Sequence, residues 1–378
     1  MTDKKLVVVQ LTGGNDYLNC VIPYNNPYYV DSRPNVRITQ DRVLPIDNKL
    51  GMNPAMAPIK ELYDQDKVAI LHGVGYPRPS RSHFRSMDIW HTAEPDNLGV
   101  EGWLGNSINQ MYPNKDNVVA AVNFGTTLPR ALVSPLAPVA TVADLNNYGL
   151  MNYVAESERN DILTAFKNMY SPSIGHGPVM DYLTQTGLDA LKSTEILTTV
   201  MGKYRSEIEY SNNPFAQSVK GASAVLQAGI GTRLCYTQHG SFDAHTNGIS
   251  LQEGLLKDVS NGIYDFYSDL KQANKSEDVI LFVFSEFGRR IKDNGNGTDH
   301  GAGGVAFVIG DAVKGGQYGE YPSLSPSNRE NGEDLKFNLD FRQVYTEILE
   351  EWLEVEAKPI VKGAYEQIGF LSKDSDRI

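Results

Sequence analysis

The stretch Leu6-Val-Val-Val-Gln-Leu11 and the turn Thr12-Gly-Gly-Asn-Asp16 that follows it decide the fold class of this chain. The first stretch is apolar and mostly β-branched, which predicts a short buried strand. The two glycines predict a tight turn, so Asp16 should lie just beyond the carboxyl end of the strand. Ligands of open α/β sheets collect at that edge. Further strands that end in polar loops would add residues to a site at the same edge.

Strand-like and helix-like segments alternate along the rest of the chain, which is typical of a mainly parallel sheet flanked by helices. The further predicted strands are 67–73, 118–123, 234–238, 279–284 and 305–309. The predicted helices lie at about 54–66, 82–94, 180–210, 215–228, 251–272 and 341–353. Residues from about 96 to 175 are rich in Pro, Asn and Gly, and we expect insertion or rim material there within one domain spanning 1–378.

The composition excludes several classes of protein. Of the 378 residues, 41% are hydrophobic, which suits a chain that forms its own core. The formal net charge of −12 argues against a nucleic-acid partner, because phosphate backbones need a basic face. Cys20 and Cys235 show no CxxC or Cys/His zinc spacing. An anionic small molecule would need local positive charge from a metal ion, a helix N-terminus or a few arginines.

The chain runs from Met1-Thr-Asp-Lys-Lys directly into the first strand, without the apolar segment of a signal peptide. It also lacks a run of about 18 apolar residues that could span a membrane. We therefore expect a soluble chain without an export signal. A periplasmic or secreted location would require that the start had been replaced, and the sequence does not indicate an oligomeric state.

Residues of the kinds that bind metals are concentrated in four loops at predicted strand ends. These residues are Asn15 and Asp16; Ser80 to His83; His239, Asp243 and His245; and Ser285, Glu286, Asp299 and His300. Carboxylate and imidazole ligands together suit zinc, manganese or iron, whereas oxygen-only sites suit calcium or magnesium. The mixed set therefore favours a transition metal. The alternative interpretation is that surface loops are rich in these residues for reasons unrelated to a metal.

Ser82 has two interpretations. Backbone N–H groups at a helix N-terminus favour an anion, so a serine placed there could act as a nucleophile. N-capping is the commoner reason for a serine at that position, and Ser80 competes with Ser82 for both roles. A Ser-His-Asp triad is a third possibility, but its G-x-S-x-G turn is missing, since Gly240-Ser241 lacks the second glycine. The glycine-rich loops of nucleotide-binding folds are also missing.

Eight short stretches, in order along the chain, carry a resemblance to a known family. They are Gly13–Asp16, Arg81–Phe84, Gly102–Gly105, Phe242–His245, Ser285–Arg289, Gly297–Gly301, Val313–Gly316 and Asp340–Arg342. Together they resemble the bacterial domain-of-unknown-function family 1501, a sulfatase-like group near the alkaline-phosphatase superfamily. The resemblance implies an α/β fold, an alkaline-phosphatase-like three-layer sandwich. It also implies a metal-dependent hydrolase that acts on a small anionic ester of phosphate or a related acid.

The resemblance extends to individual residues. The nucleophile would be Ser82, with a water molecule as the alternative attacker. The expected metal ligands are Asp16, Asp243, His245, Glu286, Asp299 and His300. The residues assigned to substrate binding are Asn15, Arg81, His83, His239 and Arg289.

Two departures from the family pattern modify these expectations. Ser285-Glu286 stands where related phosphatases have Asp-His, so one zinc or manganese ion is expected rather than two. The sulfatase maturation motif is nearly present at Pro77–Arg81, but Pro77 occupies its nucleophile position, so no formylglycine can form. The alternative function is a non-catalytic binding or scaffold protein that retains the fold.

Overall fold

The computed structural model describes residues 4–114, 117–145, 156–169 and 177–372. The strands of these residues are β1 Lys5–Leu11, β2 Val21–Ile22, β3 Leu44–Pro45, β4 Gly51–Met52, β5 Val68–Gly75, β6 Ala121–Phe124, β7 Val139–Val142, β8 Leu234–His239, β9 Val279–Phe284, β10 Arg289–Asp293, β11 Thr298–His300, β12 Gly304–Ile309, β13 Gly316–Tyr318, β14 Arg329–Glu330, β15 Asp334–Leu335 and β16 Leu339–Asp340. The helices are α1 Tyr17–Cys20, α2 Pro27–Ser32, α3 Ala57–Asp64, α4 His83–Thr92, α5 Trp103–Met111, α6 Glu156–Met169, α7 Pro178–Lys203, α8 Pro214–Gln227, α9 Gly248–Gln272, α10 Phe341–Glu347 and α11 Lys358–Val361. A π-helical turn, Ile348–Trp352, continues α10.

The central sheet has the strand order β13, β5, β12, β9, β1, β8, β6 and β7, and β16 also pairs with β5. The middle strand, β1, is parallel to both of its neighbours, β8 and β9. Only β12, among the described strands of this sheet, runs antiparallel to its neighbours. The remaining pairs are parallel. The prediction of a mixed, mainly parallel sheet is confirmed.

Helices cover both faces of the sheet. Val7 and Val9 of β1 point into a core cluster shared with α3, α8 and α9. Leu6 and Val8 point into a second cluster shared with α4, α5 and α10. Because both faces of the strand are buried, its sequence is a continuous apolar run rather than an alternating one. The predicted three-layer sandwich is confirmed.

Part of the interval 96–175 packs into the core or joins the central sheet, in the residues that are described. Trp103 of α5 is 1% exposed, and its ring stacks on Tyr345 of α10. The strands β6 and β7 extend the central sheet on the β8 side. The sequence did not predict β7. Residues 115–116, 146–155 and 170–175 of this interval lie outside the described residues.

Five loops meet at one edge of the sheet. Strands β1, β5, β8 and β9 share one direction and end at this edge, whereas the antiparallel β12 begins there. β5 does not lie beside β1 in the sheet, because β9 and β12 lie between them. The edge nevertheless gathers the polar loops, as the sequence predicted. None of the described helices is long and apolar enough to cross a membrane.

Candidate metal centre

Three imidazoles and one carboxylate converge at this edge. His83 is the first residue of α4, Asp243 and His245 follow β8, and His300 ends β11. The Nε2 atom of His300 lies 3.1 Å from Nε2 of His83 and 3.0 Å from Nε2 of His245. Asp243 Oδ1 is 3.0 Å from Nε2 of both His245 and His300. Asp243 Oδ2 is 3.4 Å from Nε2 of His83.

The other nitrogen of each ring, Nδ1, faces an oxygen that can only accept a hydrogen bond. The three pairs are His83 with the Glu286 carboxylate at 2.8 Å, His300 with the Arg81 carbonyl at 2.8 Å, and His245 with the Asp299 carboxylate at 3.1 Å. Each Nδ1 must therefore carry the hydrogen and donate it. In a neutral ring this leaves an unprotonated Nε2 whose lone pair is free to bind a cation.

This arrangement fits a divalent cation. The Nε2 atoms of His83 and His245 each lie about 3 Å from Nε2 of His300, and unprotonated nitrogens at that distance repel one another unless a positive charge lies among them. Histidine metal ligands commonly donate Nδ1–H to a carboxylate or carbonyl. The ligand atoms of His83, Asp243 and His300 all lie within 4.8 Å of one another, whereas His245 lies outside this group of three and contacts His300 and Asp243. Nitrogen and oxygen ligands of this kind suit zinc or manganese. A proton on one Nε2 would also remove the repulsion between these nitrogens.

The charges around the centre determine which groups are ionised. Burial raises the pKa of Asp243, but the hydrogen bond and positive charge of Arg289 outweigh burial and lower it to about 2. Asp243 is therefore a carboxylate at neutral pH. The hydrogen bond to Glu286 raises the pKa of His83 above its ordinary value and outweighs the opposing effect of burial. Ion binding would therefore compete with a proton on His83.

Arg289 joins the loops that form the centre. Its guanidinium is fully buried, and one of its nitrogens lies 2.5 Å from Asp243 Oδ1. The same group donates to the carbonyls of Gly13 and Gly14 after β1, at 2.6 and 2.8 Å. It also donates to the carbonyls of Phe242 and Thr298, both at 3.0 Å. These hydrogen bonds use the Arg289 guanidinium, which the sequence analysis assigned to substrate binding.

Glu286 orients a histidine in the structure, whereas the sequence assigned it to the metal. Its side chain is 1% exposed, and its Oε1 accepts hydrogen bonds from the Gly13 N–H and from His83 Nδ1, both at 2.8 Å. The preceding residue, Ser285, accepts a hydrogen bond from the Asn15 N–H and donates one to the Leu11 carbonyl. The loop after β9 is thereby tied to the loop after β1.

Asp16 and Asn15 bind other partners, away from the converging side chains. Asp16 Oδ2 lies 2.6 Å from Arg33, and both side chains are buried. Arg33 also donates to the carbonyl of Ile291. Asn15 accepts a hydrogen bond from Gln252 at 2.7 Å. The sequence placed Asp16 among the metal ligands, but in the structure a buried arginine neutralises its charge.

Ser82 caps α4, and its side chain is exposed. Its Oγ accepts a long hydrogen bond, 3.5 Å, from the Arg85 N–H, and Ser80 Oγ accepts one from the Ser82 N–H. Both neighbours of Ser82 contact His300, one through the carbonyl of Arg81 and the other through the ring of His83. The Arg81 guanidinium, which the sequence analysis assigned to substrate binding, donates to the buried carboxylate of Asp334 in β15 at 2.7 Å.

His239 lies apart from the centre. Its ring packs against Phe215 and Phe242, and its Nε2 is 3.7 Å from Asp258. Burial lowers its pKa. The sequence assigned it to substrate, as it did His83, whose ring instead belongs to the converging set. The one sequence signal for His83 was its place directly after the predicted capping serine. No signal pointed to Arg33.

The model of the family described as "Protein of unknown function (DUF1501)" matches residues 66–349. The chain belongs to this family. The sequence resemblance to it is thereby confirmed. No curated protein matches the chain.

Solved structures similar to this DUF1501 chain include a sulfatase and a member of the alkaline-phosphatase superfamily. The PsFucS1 sulfatase from Pseudoalteromonas sp. is 11% identical, with 98% of this chain and 72% of that chain covered and a TM-score of 0.44. Ps i-CgsB, in complex with k-i-k-neocarrahexaose, is 9% identical, with 96% and 75% covered and a TM-score of 0.41. A protein in the alkaline phosphatase superfamily from Vibrio parahaemolyticus is 9% identical, with 85% and 63% covered and a TM-score of 0.35.

Proposed function

We propose that this protein is a metal-dependent hydrolase of phosphate or related ester bonds, with one zinc or manganese ion per chain. The observation that carries the proposal is the convergence of three imidazole Nε2 atoms on the carboxylate of Asp243. The proposed ligands are His83, Asp243, His245 and His300. When bound, such an ion would polarise an ester oxygen and offset the negative charge of the substrate.

The surrounding residues support the proposal by keeping the ligands in place. Glu286, Asp299 and the carbonyl of Arg81 hold the Nδ1 atoms, which fixes the orientation of the three rings. Arg289 keeps Asp243 ionised. A preorganised set of this kind binds an ion without a large rearrangement of the protein.

A single ion is proposed because protein groups already bind one oxygen of each carboxylate that a second ion would need. The Asp16 carboxylate is paired with Arg33, and the Glu286 carboxylate is hydrogen-bonded to His83 and Gly13. Arg33 therefore supplies a fixed positive charge next to the first strand.

Ser82 is the proposed nucleophile, and a water molecule is the alternative. Its exposed hydroxyl lies between two residues that contact His300, at the start of α4, where first-turn N–H groups favour an anion. In the proposed step Ser82 Oγ bonds to the phosphorus or sulfur as the bond to the alcohol oxygen breaks. The departing alcohol takes up a proton in exchange for the one that Ser82 releases, and water then cleaves the serine ester.

Metal analysis of the purified protein, together with turnover of aryl phosphates and aryl sulfates, tests the proposal. The His300→Ala variant should retain less than a tenth of the parent's metal. The His239→Ala variant should retain as much as the parent, because His239 lies outside the centre. Equal metal content in the parent and the His300 variant would contradict the proposal. A folded, metal-loaded protein that cleaves no ester would instead favour the binding or scaffold function.

A further inference from the structure

A groove of about 510 Å³ lies directly beside Ser82. Phe84 and Leu98 line it and are 87% and 78% exposed. Arg85 and Arg130 line it too. Isolated exposed apolar side chains are common on protein surfaces, but two large ones over a single groove mark a binding surface. The volume is within the range of small-molecule sites.

The groove suits an aromatic ring. Arg85 and Arg130 both pair with the carboxylate of Asp88, which leaves the groove with one net positive charge from these three residues. Guanidinium planes and the ring of Phe84 both stack on aromatic faces. The groove therefore offers apolar contact and a weakly positive wall to an anionic aromatic molecule.

Ser82 links the groove to the candidate metal centre. Ser82 lines the groove, and the residues on either side of Ser82 both contact His300. A ligand whose acidic group reaches the centre at His300 would thus place its organic part along Phe84. His83 of the centre and Phe84 of the groove are consecutive residues in the first turn of α4.

We propose that this groove binds the aryl group of the ester substrate, with Phe84 and Leu98 as the residues that determine specificity. The inference rests on the proposed function, since it presumes an acidic group held at the His83–His300 centre. It goes further by naming the substrate class as aryl esters, in preference to esters of polar alcohols such as sugars.

Binding of two matched ligands to the metal-loaded protein tests this inference. Calorimetry would compare 2-naphthyl phosphate with phenyl phosphate, which carry the same acidic group but differ by one ring. We expect 2-naphthyl phosphate to bind about tenfold more tightly, because the second ring buries additional apolar surface. The Phe84→Ala and Leu98→Ala variants should each bring this ratio toward one. The Val100→Ala variant is the control, since Val100 is 79% exposed but does not line the groove.

The outcomes separate the groove from the centre. A ratio near one in the parent, or an equal loss of the ratio in the Val100→Ala variant, would overturn the groove assignment even if both ligands bind and are cleaved. Binding of neither ligand, together with no bound metal, would overturn the proposed function and the groove with it. Loss of binding to a protein partner in the Phe84 variant, with an unchanged ligand ratio, would assign the surface to that partner instead.

Discussion

Replacing Glu286 with glutamine should weaken metal binding without weakening the folded protein. The carboxylate is 1% exposed and accepts hydrogen bonds from His83 Nδ1 and from the Gly13 N–H. Glutamine has nearly the same shape, and its carbonyl oxygen can accept both hydrogen bonds. The change therefore removes the negative charge behind His83 while leaving the packing in place.

The size of the effect follows from this contact. Residues that hold the Nδ1 of a histidine ligand typically change metal affinity by about 10- to 100-fold, which is about 1.4–2.7 kcal/mol. Glu286 should lie near the upper end, because its charge is buried and poorly screened by solvent. In the metal-free protein above the raised pKa of His83, where the ring is neutral, the same change breaks no ion pair, so the free energy of unfolding should stay about constant.

Asp299→Asn is the matched comparison. Asp299 holds the Nδ1 of His245 in the same way, but its side chain is 41% exposed, so solvent screens its charge. We expect a loss of metal affinity below about tenfold for this variant. Competition titration with a zinc chelator gives the affinities, and urea unfolding of the metal-free proteins gives the stabilities. Unchanged zinc affinity in Glu286→Gln, or a larger loss in Asp299→Asn, would refute the reasoning.

Three further predictions concern catalysis, stability and pH. Ser82→Ala should abolish turnover of aryl phosphates and lower the free energy of unfolding by about 1 kcal/mol or less through the lost cap; unchanged turnover would leave water as the attacker. Arg289→Met should lower the free energy of unfolding in urea by about 3–5 kcal/mol, because it leaves buried carbonyls and the Asp243 charge unpaired. Arg290→Met, which removes a half-exposed ion pair, should lower it by less than about 1 kcal/mol. Burial lowers the pKa of His72 and His91 to about 4, so both stay neutral in the folded protein and take up protons on unfolding. The free energy of unfolding should therefore be unaffected by these two rings above the unfolded pKa of ~6.5. As the pH falls toward ~4 it should drop by about 3 kcal/mol for each ring. Urea titrations at several pH values would detect this drop, and a flat profile would contradict it.

The sequence alone was sufficient to predict the main strands and helices and their layered arrangement. Strands buried on both faces, such as β1 and β9, carry continuous apolar runs that are recognisable without any tertiary information. The predicted bounds of α8 and α9 agree with the structure to within a few residues, because their apolar positions recur at helical spacing. The short strands β7 and β13 were missed, since they hold few residues and depend on a neighbouring strand for pairing.

The residues of the candidate site were named from the sequence, but the contacts between them were not. Parallel strands end at a common edge, so a polar loop after each strand is enough to predict that these loops meet. Which atoms touch depends on strand order and loop geometry. Glu286 reaches His83 from 203 residues away, and the antiparallel β12 brings His300 to the edge from the opposite direction.

What the sequence by itself determined is therefore the set of elements, the sheet edge and the kinds of ligand at that edge, because these follow from local hydrophobic patterns and from residue chemistry. What only the tertiary structure decided is the role of each side chain. Arg33 neutralises Asp16, Glu286 orients His83, and His83 joins the candidate metal centre. A carboxylate has the same local sequence signal whether its partner is an ion, an arginine or an imidazole, and only packing brings one of these within 3 Å.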